Sequence, residues 1–258
     1  MRADMAVKDA TETAARQRSP FCLTCSIPAT SDQTSTPAHS DCTWRPGPER
    51  PHLSQGALHL WRADLCRVGD ELVDLLCVEE RARAARFHKE LDGRLWSRSR
   101  GVLRALLGRY LRIDPTTLSF STGIHGKPSV AGPLSFNLSH SGGLAVYALC
   151  PTTPVGVDLE LIGSRRDIVA LAARAFGPAQ AQRLSALDPG AQEREFLRLW
   201  VRHEAQLKCL GRGLGARDRE ASADLPWTME LDVWPGAVGA AAAMRAPAEA
   251  RCWDWAGC

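Results

Sequence analysis

The segment Val155-Gly156-Val157-Asp158-Leu159-Glu160 constrains this chain most, because it alternates apolar and non-apolar side chains. Residues two apart in a strand point to the same face. The apolar side chains therefore share the face that packs on the core, and Asp158 and Glu160 share the opposite face. Like charges this close repel each other, and either solvent at a strand edge or a bound divalent cation would relieve the repulsion. Carboxylate oxygens suit Mg²⁺ better than Zn²⁺, but the segment alone favours the solvated edge.

A helix predicted over 196–208 changes this weighting. Trp200, Glu204 and Lys208 are spaced four residues apart, so they form one row at the margin of the buried stripe. Glu204 and Lys208 fit an ordinary surface pair, worth about 0.2–0.5 kcal/mol. They also fit a third carboxylate and an ammonium that point into a cleft. Three carboxylates could hold one Mg²⁺ and leave coordination sites for phosphate oxygens and water.

Two further segments carry groups that could bind an anion. Gly126-Lys127-Pro128 is a turn with a lysine on it, and Asn137, Ser139 and His140 lie at the end of a strand and its bend. Each signal is weak alone, since a histidine at a bend is usually just exposed. Together they could cradle a polyphosphate whose remaining charge a metal neutralises.

Hydrophobic periodicity predicts alternating strands and helices. Strands are predicted at 57–61, 134–138, 144–149, 155–160 and 231–234, with a hairpin bend at 141–143. Helices are predicted at 71–87, 92–111, 167–176, 179–187 and 192–209. The signal weakens beyond residue 220, and the Ala-rich tract after 234 has no assignment. Residues 1–55 are rich in Ser, Thr, Pro and Ala without periodicity, which predicts a disordered extension or an incorrectly assigned start.

Composition narrows the class of protein and its partners. The 258 residues, 45% apolar and 24% charged, suffice for one large α/β domain or two small ones. A formal net charge of +3 favours neither nucleic acid nor a membrane surface as partner. No stretch approaches about 18 consecutive apolar residues, and the N-terminus lacks the apolar core of a secretory signal.

The nine cysteines are an odd number without regular spacing, which argues against a disulfide framework and indicates a reducing cytoplasm. Cys22 and Cys25 have the spacing of half a zinc site, but no second pair of ligands follows at a suitable distance. Two incidental thiols are the favoured interpretation. We therefore expect a cytoplasmic protein.

Four motifs in the chain resemble, in order and spacing, the surfactin-synthetase-activating type of 4′-phosphopantetheinyl transferase. They are Gly126-Lys127-Pro128, Phe136-Asn137-Leu138-Ser139-His140-Ser141, Val155-Gly156-Val157-Asp158-Leu159-Glu160, and Trp200-x-x-His203-Glu204-Ala205-x-x-Lys208 followed by Gly211-x-Gly213-Leu214. The resemblance covers roughly residues 57–235. Four ordered motifs are far more specific than any one of them.

The resemblance implies an α/β (α+β) fold of two similar halves packed as a pseudo-dimer within one chain, with the halves at 56–153 and 154–258. It also implies that phosphopantetheine moves from coenzyme A to a serine hydroxyl of an acyl or peptidyl carrier protein, with release of 3′,5′-ADP. Mg²⁺, or Mn²⁺ in its place, is the implied cofactor. The implied partners are carrier domains of polyketide, nonribosomal peptide or fatty acid synthases, and the chain is expected to act as a monomer.

The resemblance also assigns roles by position. Asp158, Glu160 and Glu204 would hold Mg²⁺ on the coenzyme A diphosphate, and Lys208 would contact the phosphate that is transferred. Glu204, or a water on the metal, is the candidate base for the serine proton. A second set would bind the nucleotide part of coenzyme A: Lys127, Pro128, Ser139, His140, Arg104 and, on a weaker match, Lys89.

Departures from the family pattern keep other hypotheses open. His203 stands where the family usually has lysine, and Gln180 stands where many relatives carry a glutamate proposed as the base. The sequence also ends sooner after 251–255 than relatives usually do, which raises the expectation of a truncated second half. A homologue that binds coenzyme A or a carrier protein without turnover would fit these departures. An unrelated Mg²⁺ enzyme acting on diphosphates is disfavoured by the four ordered motifs.

Overall fold

The computed structural model describes residues 38–39, 42–123, 126–151, 153–163, 167–212 and 225–256. The strands within these ranges are β1 (Ala38–His39), β2 (Arg45–Pro46), β3 (Ala57–Asp64), β4 (Ser121–Thr122), β5 (Pro128–Ser129), β6 (Ser135–Ser141), β7 (Leu144–Cys150), β8 (Val155–Leu161), β9 (Trp227–Leu231), β10 (Ala237–Ala243) and β11 (Glu249–Asp254). The helices are α1 (Val78–Ala84), α2 (Glu90–Leu111), α3 (Ile168–Phe176), α4 (Pro178–Ser185) and α5 (Pro189–Leu210). Short 3₁₀ helices cover Asp70–Leu75 and Pro115–Thr117.

The first sheet has the strand order β2-β11-β3-β7-β6, and α2 packs on its outer face. β7 pairs antiparallel with both β3 and β6, so the predicted hairpin is confirmed. Leu103, Leu106 and Leu107 recur at helical spacing on α2. They pack in one cluster with Trp61 and Tyr147 from the strands, which anchors the helix on the sheet.

The second sheet has the order β1-β9-β10-β8, with α5 across its outer face. Every residue of β10 is buried. Ala240 and Ala242 belong to the buried cluster that contains the helices, whereas Ala237 and Ala241 belong to the cluster between the two sheets. The unassigned Ala-rich tract is therefore a central strand whose small side chains let both layers approach. Alanine is depleted in strands, so pattern rules do not detect it.

The inner faces of the two sheets share one core. Leu58 and Leu60 of β3 belong to the same cluster of buried side chains as Val157 and Leu159 of β8. The predicted α/β architecture of two packed halves is confirmed.

Strand pairing crosses the predicted boundary between the halves. β11 follows the C-terminal half in sequence but pairs in parallel with β3 of the first sheet, while β1 pairs in parallel with β9 of the second. Cys252 faces the shared core, and Trp253 faces the cluster beneath α2. Residues 249–254 therefore complete the N-terminal half, although the sequence placed them in the half at 154–258.

Part of the predicted disordered segment at 1–55 is packed against the fold. The Trp44 indole donates to the Asp232 carbonyl at 2.6 Å. The Arg62 guanidinium lies over the rings of Trp44 and Trp234, at 4.7 and 5.1 Å from their centroids. These contacts join positions far apart in the chain, so they leave no local periodicity that a sequence argument could find.

A disulfide joins Cys42 to Cys252, 210 positions along the chain. The expectation that the cysteines form no disulfide is wrong for this pair. The cysteine pattern therefore no longer supports a reducing compartment. Cys22 and Cys25 lie outside the described residues. None of the helices that the structure describes is both long and apolar enough to cross a membrane.

Reduction of this disulfide should destabilise the protein. A cross-link that closes so long a loop is worth about 3–5 kcal/mol through the entropy of the unfolded chain. We expect Cys252→Ser, or reductant on the wild type, to lower the Tm by roughly 5–15 °C. Thermal unfolding with and without reductant measures this, with Cys66→Ser as control because Cys66 is a free, exposed thiol. A wild-type Tm that is indifferent to reductant would contradict the expectation.

Candidate active site

Gly156 determines what covers the carboxylate face of β8. A Cβ at this position would lie 2.0 Å from the Ala205 carbonyl oxygen and 2.5 Å from the Cys209 nitrogen of α5. Only glycine lets the helix backbone approach this closely. The helix then covers the next residues on the same face, so Asp158 is 5% exposed and Glu160 is 8% exposed. The solvated strand edge is therefore excluded.

Asp158 is the centre of a buried polar network. Its Oδ1 accepts hydrogen bonds from the Lys208 ammonium at 2.7 Å and from the Ser139 hydroxyl at 2.9 Å. The Lys208 Nζ atom also lies 3.1 Å from Ser139 Oγ and 3.2 Å from the Val157 carbonyl oxygen. The predicted row on α5 thus points Lys208 into the junction between β6 and β8.

Glu204 lies one helical turn before Lys208 and is 7% exposed. Burial, and then the negative charge of Asp158, raises the pKa of Glu204 from 4.5 to about 8, although Lys208 acts in the opposite direction. Within the described residues, Glu204 Oε1 and Asp158 Oδ2 are buried and have no hydrogen-bond partner. Buried carboxylate oxygens without donors require a proton or a cation, and oxygen donors of this kind suit a hard divalent ion.

The described residues contain no set of three or more His, Cys, Asp or Glu side chains already arranged to hold a metal ion. The unpartnered oxygens of Asp158 and Glu204 fit such an ion chemically, but the Lys208 ammonium now contacts the other oxygen of Asp158. The metal assignment of Asp158, Glu160 and Glu204 therefore stays a prediction.

Side chains of β6 join the two halves at the open edge of β8. Asn137 Oδ1 accepts from the Val157 amide at 2.9 Å, and Ser141 Oγ donates to Glu160 Oε2 at 3.3 Å. Together with Ser139 these residues are spaced two apart in the strand. Sequence reasoning took Asn137 as an anion donor and gave Ser141 no role. The signal it could have used was this polar repeat facing the two carboxylates of β8.

Lys127 contacts backbone where an anion was expected. Its Nζ donates to the carbonyls of Val155 at 2.8 Å, Lys208 at 2.7 Å and Cys209 at 3.4 Å. Burial lowers the pKa of the Lys127 ammonium. Two of these carbonyls belong to the C-terminal turn of α5, where a cation is favourable. The next residue, Pro128, is partly buried in β5.

His140 follows Ser139 at the rim of the cleft. Although part of its surface is exposed, the surrounding cleft atoms and then the charge of Lys208 lower the pKa of the imidazole. An imidazole N–H can donate a hydrogen bond to a ligand in either charge state.

Arg104 lies in a different environment from the predicted one. Its guanidinium is 1% exposed and donates to Glu80 Oε2 at 2.6 Å and to the carbonyls of Pro115 and Leu118. This buried pair leaves no surface for a nucleotide, so the residue contributes to the core of the N-terminal half. Lys89 is exposed at the N-cap of α2.

The two departures from the family pattern lie on neighbouring helices. His203 on α5 is partly buried, and its ring makes an edge contact with Phe176 at 6.2 Å between centroids. Gln180 is partly buried on α4.

Comparison with known proteins gives consistent matches. The family model described as "4'-phosphopantetheinyl transferase superfamily" matches residues 154–241, and that described as "4'-phosphopantetheinyl transferase, N-terminal" matches residues 61–152. The chain is 37% identical over 180 residues to the 4′-phosphopantetheinyl transferase HetI of Nostoc sp., which covers 67% of this chain and 76% of that protein. It is 33% identical to psf-1 of Bacillus pumilus and 27% identical to Sfp of Bacillus subtilis, both over 147 residues. These two matches cover 56% of this chain, and 62% and 64% of the two relatives.

Substitution of Gly156 should separate α5 from β8. We expect Gly156→Ala to cost about 1–3 kcal/mol, because the new methyl overlaps the helix backbone rather than a flexible side chain. Gly190→Ala is the matched control, since Gly190 lies on α5 itself and an added Cβ there would meet nothing nearer than 3.5 Å. Urea unfolding should show a loss for the first variant and no loss for the second. Equal stabilities would refute the close approach.

The raised pKa of Glu204 makes stability depend on pH. The folded protein retains a proton that the unfolded chain releases near pH 4.5, so stability is greatest below that pH and falls until the folded pKa near 8. The slope for one group is at most about 1.4 kcal/mol per pH unit. Glu204→Gln should remove this component, so its stability advantage over the wild type should grow from pH 5 to pH 8. Denaturation in chelator at both pH values tests this; an equal difference at both would contradict it.

Proposed function

Because the chain belongs to the 4′-phosphopantetheinyl transferase superfamily, we propose that it transfers 4′-phosphopantetheine from coenzyme A to a serine of an acyl or peptidyl carrier protein. In this reaction the serine oxygen attacks the phosphorus that bears the pantetheine, and the bond from that phosphorus to 3′,5′-ADP breaks. One observation carries the proposal: the buried cluster of Asp158, Glu160 and Glu204 with the ammonium of Lys208 at the junction of the halves.

The negative charge of the cluster suits the divalent cation that such a reaction requires. Phosphoryl transfer depends on positioning and charge neutralisation more than on covalent help from the protein. Asp158, Glu160 and Glu204 would hold Mg²⁺, or Mn²⁺ in its place. When bound, the ion would neutralise the diphosphate. The unpartnered oxygens of Asp158 and Glu204 support this assignment.

Lys208, Ser139 and His140 are suited to bind the phosphate groups. Lys208 Nζ lies 3.1 Å from Ser139 Oγ, His140 is the next residue of β6, and each of the three can present an N–H or O–H donor. Lys208 would contact the phosphate that is transferred. Lys127 and Pro128 would support the nucleotide side indirectly, since the Lys127 ammonium is occupied by backbone carbonyls.

The serine proton needs an acceptor. Glu204 is the candidate because its carboxylate is buried one helical turn before Lys208, and a cation bound there would keep it ionised despite its raised pKa. Gln180 has no basic group and cannot take the proton. His203 lies on the same helical turn as Glu204, and its ring makes an edge contact with Phe176.

We propose carrier domains of biosynthetic synthases as the partner class, a cytoplasmic location, where the Cys42–Cys252 pair would be reduced, and a monomeric state. The two halves already form the shared core within one chain, which supports the last point. A homologue that binds coenzyme A or a carrier protein without turnover is the second candidate. Gln180 and His203, where the family pattern has a glutamate and a lysine, favour it.

Intact-mass analysis of an apo carrier protein incubated with the enzyme, coenzyme A and Mg²⁺ decides between them. We expect the carrier to gain the mass of phosphopantetheine, and Asp158→Ala to lower the rate about 100-fold or more because the cluster loses a central charge. Glu49→Ala, which removes an exposed carboxylate outside the cluster, should transfer at the wild-type rate. No mass increment on several carriers would favour binding without turnover, and an active Asp158→Ala variant would refute the site.

A further inference from the structure

Lys208 is unusual among the charged residues of the cleft because it touches a carboxylate of the proposed metal site. The ammonium lies 2.7 Å from Asp158 Oδ1, on a carboxylate that is 5% exposed. It is held there by Ser139 Oγ and by the Val157 carbonyl. The other Asp158 oxygen has no hydrogen-bond partner among the described residues.

We propose that Lys208 is a built-in counter-ion that competes with the divalent cation for Asp158, and that the diphosphate of coenzyme A draws it away. The inference rests on the proposed function, because it concerns the same site. It adds an order to the binding events: the metal binds weakly to the free protein and firmly together with coenzyme A.

Electrostatics supports the competition. An ammonium and a divalent ion bound to one carboxylate would lie close together, and like charges repel strongly where water is largely excluded. The metal must therefore displace the ammonium or bind against its charge. The Val157 carbonyl opposes displacement, since it belongs to the rigid strand β8.

The displaced ammonium has a ready acceptor. Lys208 lies in the last turn of α5, and its side chain is 30% exposed, so its flexible stem can turn towards the cleft. A phosphate oxygen of coenzyme A would replace the carboxylate in a charge-assisted contact. Metal and diphosphate then favour each other's binding. The metal displaces the ammonium from Asp158, and the diphosphate supplies its new partner.

Lys127 provides a matched comparison on the same strand edge. It donates to the Val155 carbonyl, as Lys208 donates to that of Val157, but it makes no carboxylate contact among the residues that the structure describes. Removing its charge tests the general effect of a nearby cation. Removing that of Lys208 tests direct competition.

The test measures the affinity of the metal-free protein for Mn²⁺ in the absence of coenzyme A. Electron paramagnetic resonance monitors the concentration of free Mn²⁺ during the titration. Lys208→Met should bind Mn²⁺ more tightly than wild type by about tenfold or more. Lys208→Arg keeps a cation on Asp158 and should bind no more tightly than wild type. Lys127→Met should stay within about threefold, because it lacks the direct contact. Saturating coenzyme A should tighten binding in the wild type and tighten it less in Lys208→Met.

Circular dichroism confirms that each variant is folded, and Lys208→Gln replaces Lys208→Met if the latter is not. Unchanged or weaker Mn²⁺ binding in a folded, charge-free variant would overturn the competition while the transferase proposal stands on the carrier assay. Equal tightening by Lys127→Met and Lys208→Met would also overturn it, since a general charge effect would then suffice. Absence of Mn²⁺ binding in every protein, with coenzyme A present, would refute both the competition and the metal site.

Discussion

The contact between the backbones of α5 and β8 is the interaction on which the site depends. Gly156 permits it, and the helix then covers the strand face that carries Asp158 and Glu160. Burial by a helix that itself carries Glu204 concentrates three carboxylates where water cannot solvate them well. The charge imbalance of the cluster is therefore a consequence of helix packing. Ala240 and Ala242 on the neighbouring strand extend the same shallow surface under the helix.

The open edge of β8 is the second constraint. β10 pairs with one edge of β8 along its whole length, but β6 does not form a backbone ladder with the other edge. An unpaired edge leaves amide and carbonyl groups that need partners. Side chains supply them: Asn137 accepts from the Val157 amide, and Lys127 and Lys208 donate to carbonyls. Polar side chains therefore gather at the junction of the halves, and the site lies there for the same reason.

Sequence patterns predicted the regular elements well and the environments poorly. Alternation in β8 and the four-residue row on α5 identified Asp158, Glu160, Glu204 and Lys208, which the structure brings together. Alternation cannot show what covers a strand face, so the sequence favoured a solvated edge. In the structure α5 covers this face, because Gly156 lets its backbone approach. The Cys42–Cys252 disulfide and the strand β11 depend on partners across the whole chain. Such partners leave no periodic trace.

Arg104, Lys127 and Lys208 show that residue type does not determine role. Arg104 pairs with buried Glu80, Lys127 with backbone carbonyls, and Lys208 with Asp158, although the family pattern suggests ligand contacts for all three. Only Lys208 among these three offsets the charge of the carboxylate cluster, and it cannot balance three carboxylates alone. Burial, and then this excess of negative charge, raises the pKa of Glu204. A cluster neutralised fully by its own side chains would be more stable, but it would keep no negative charge with which to bind a cation.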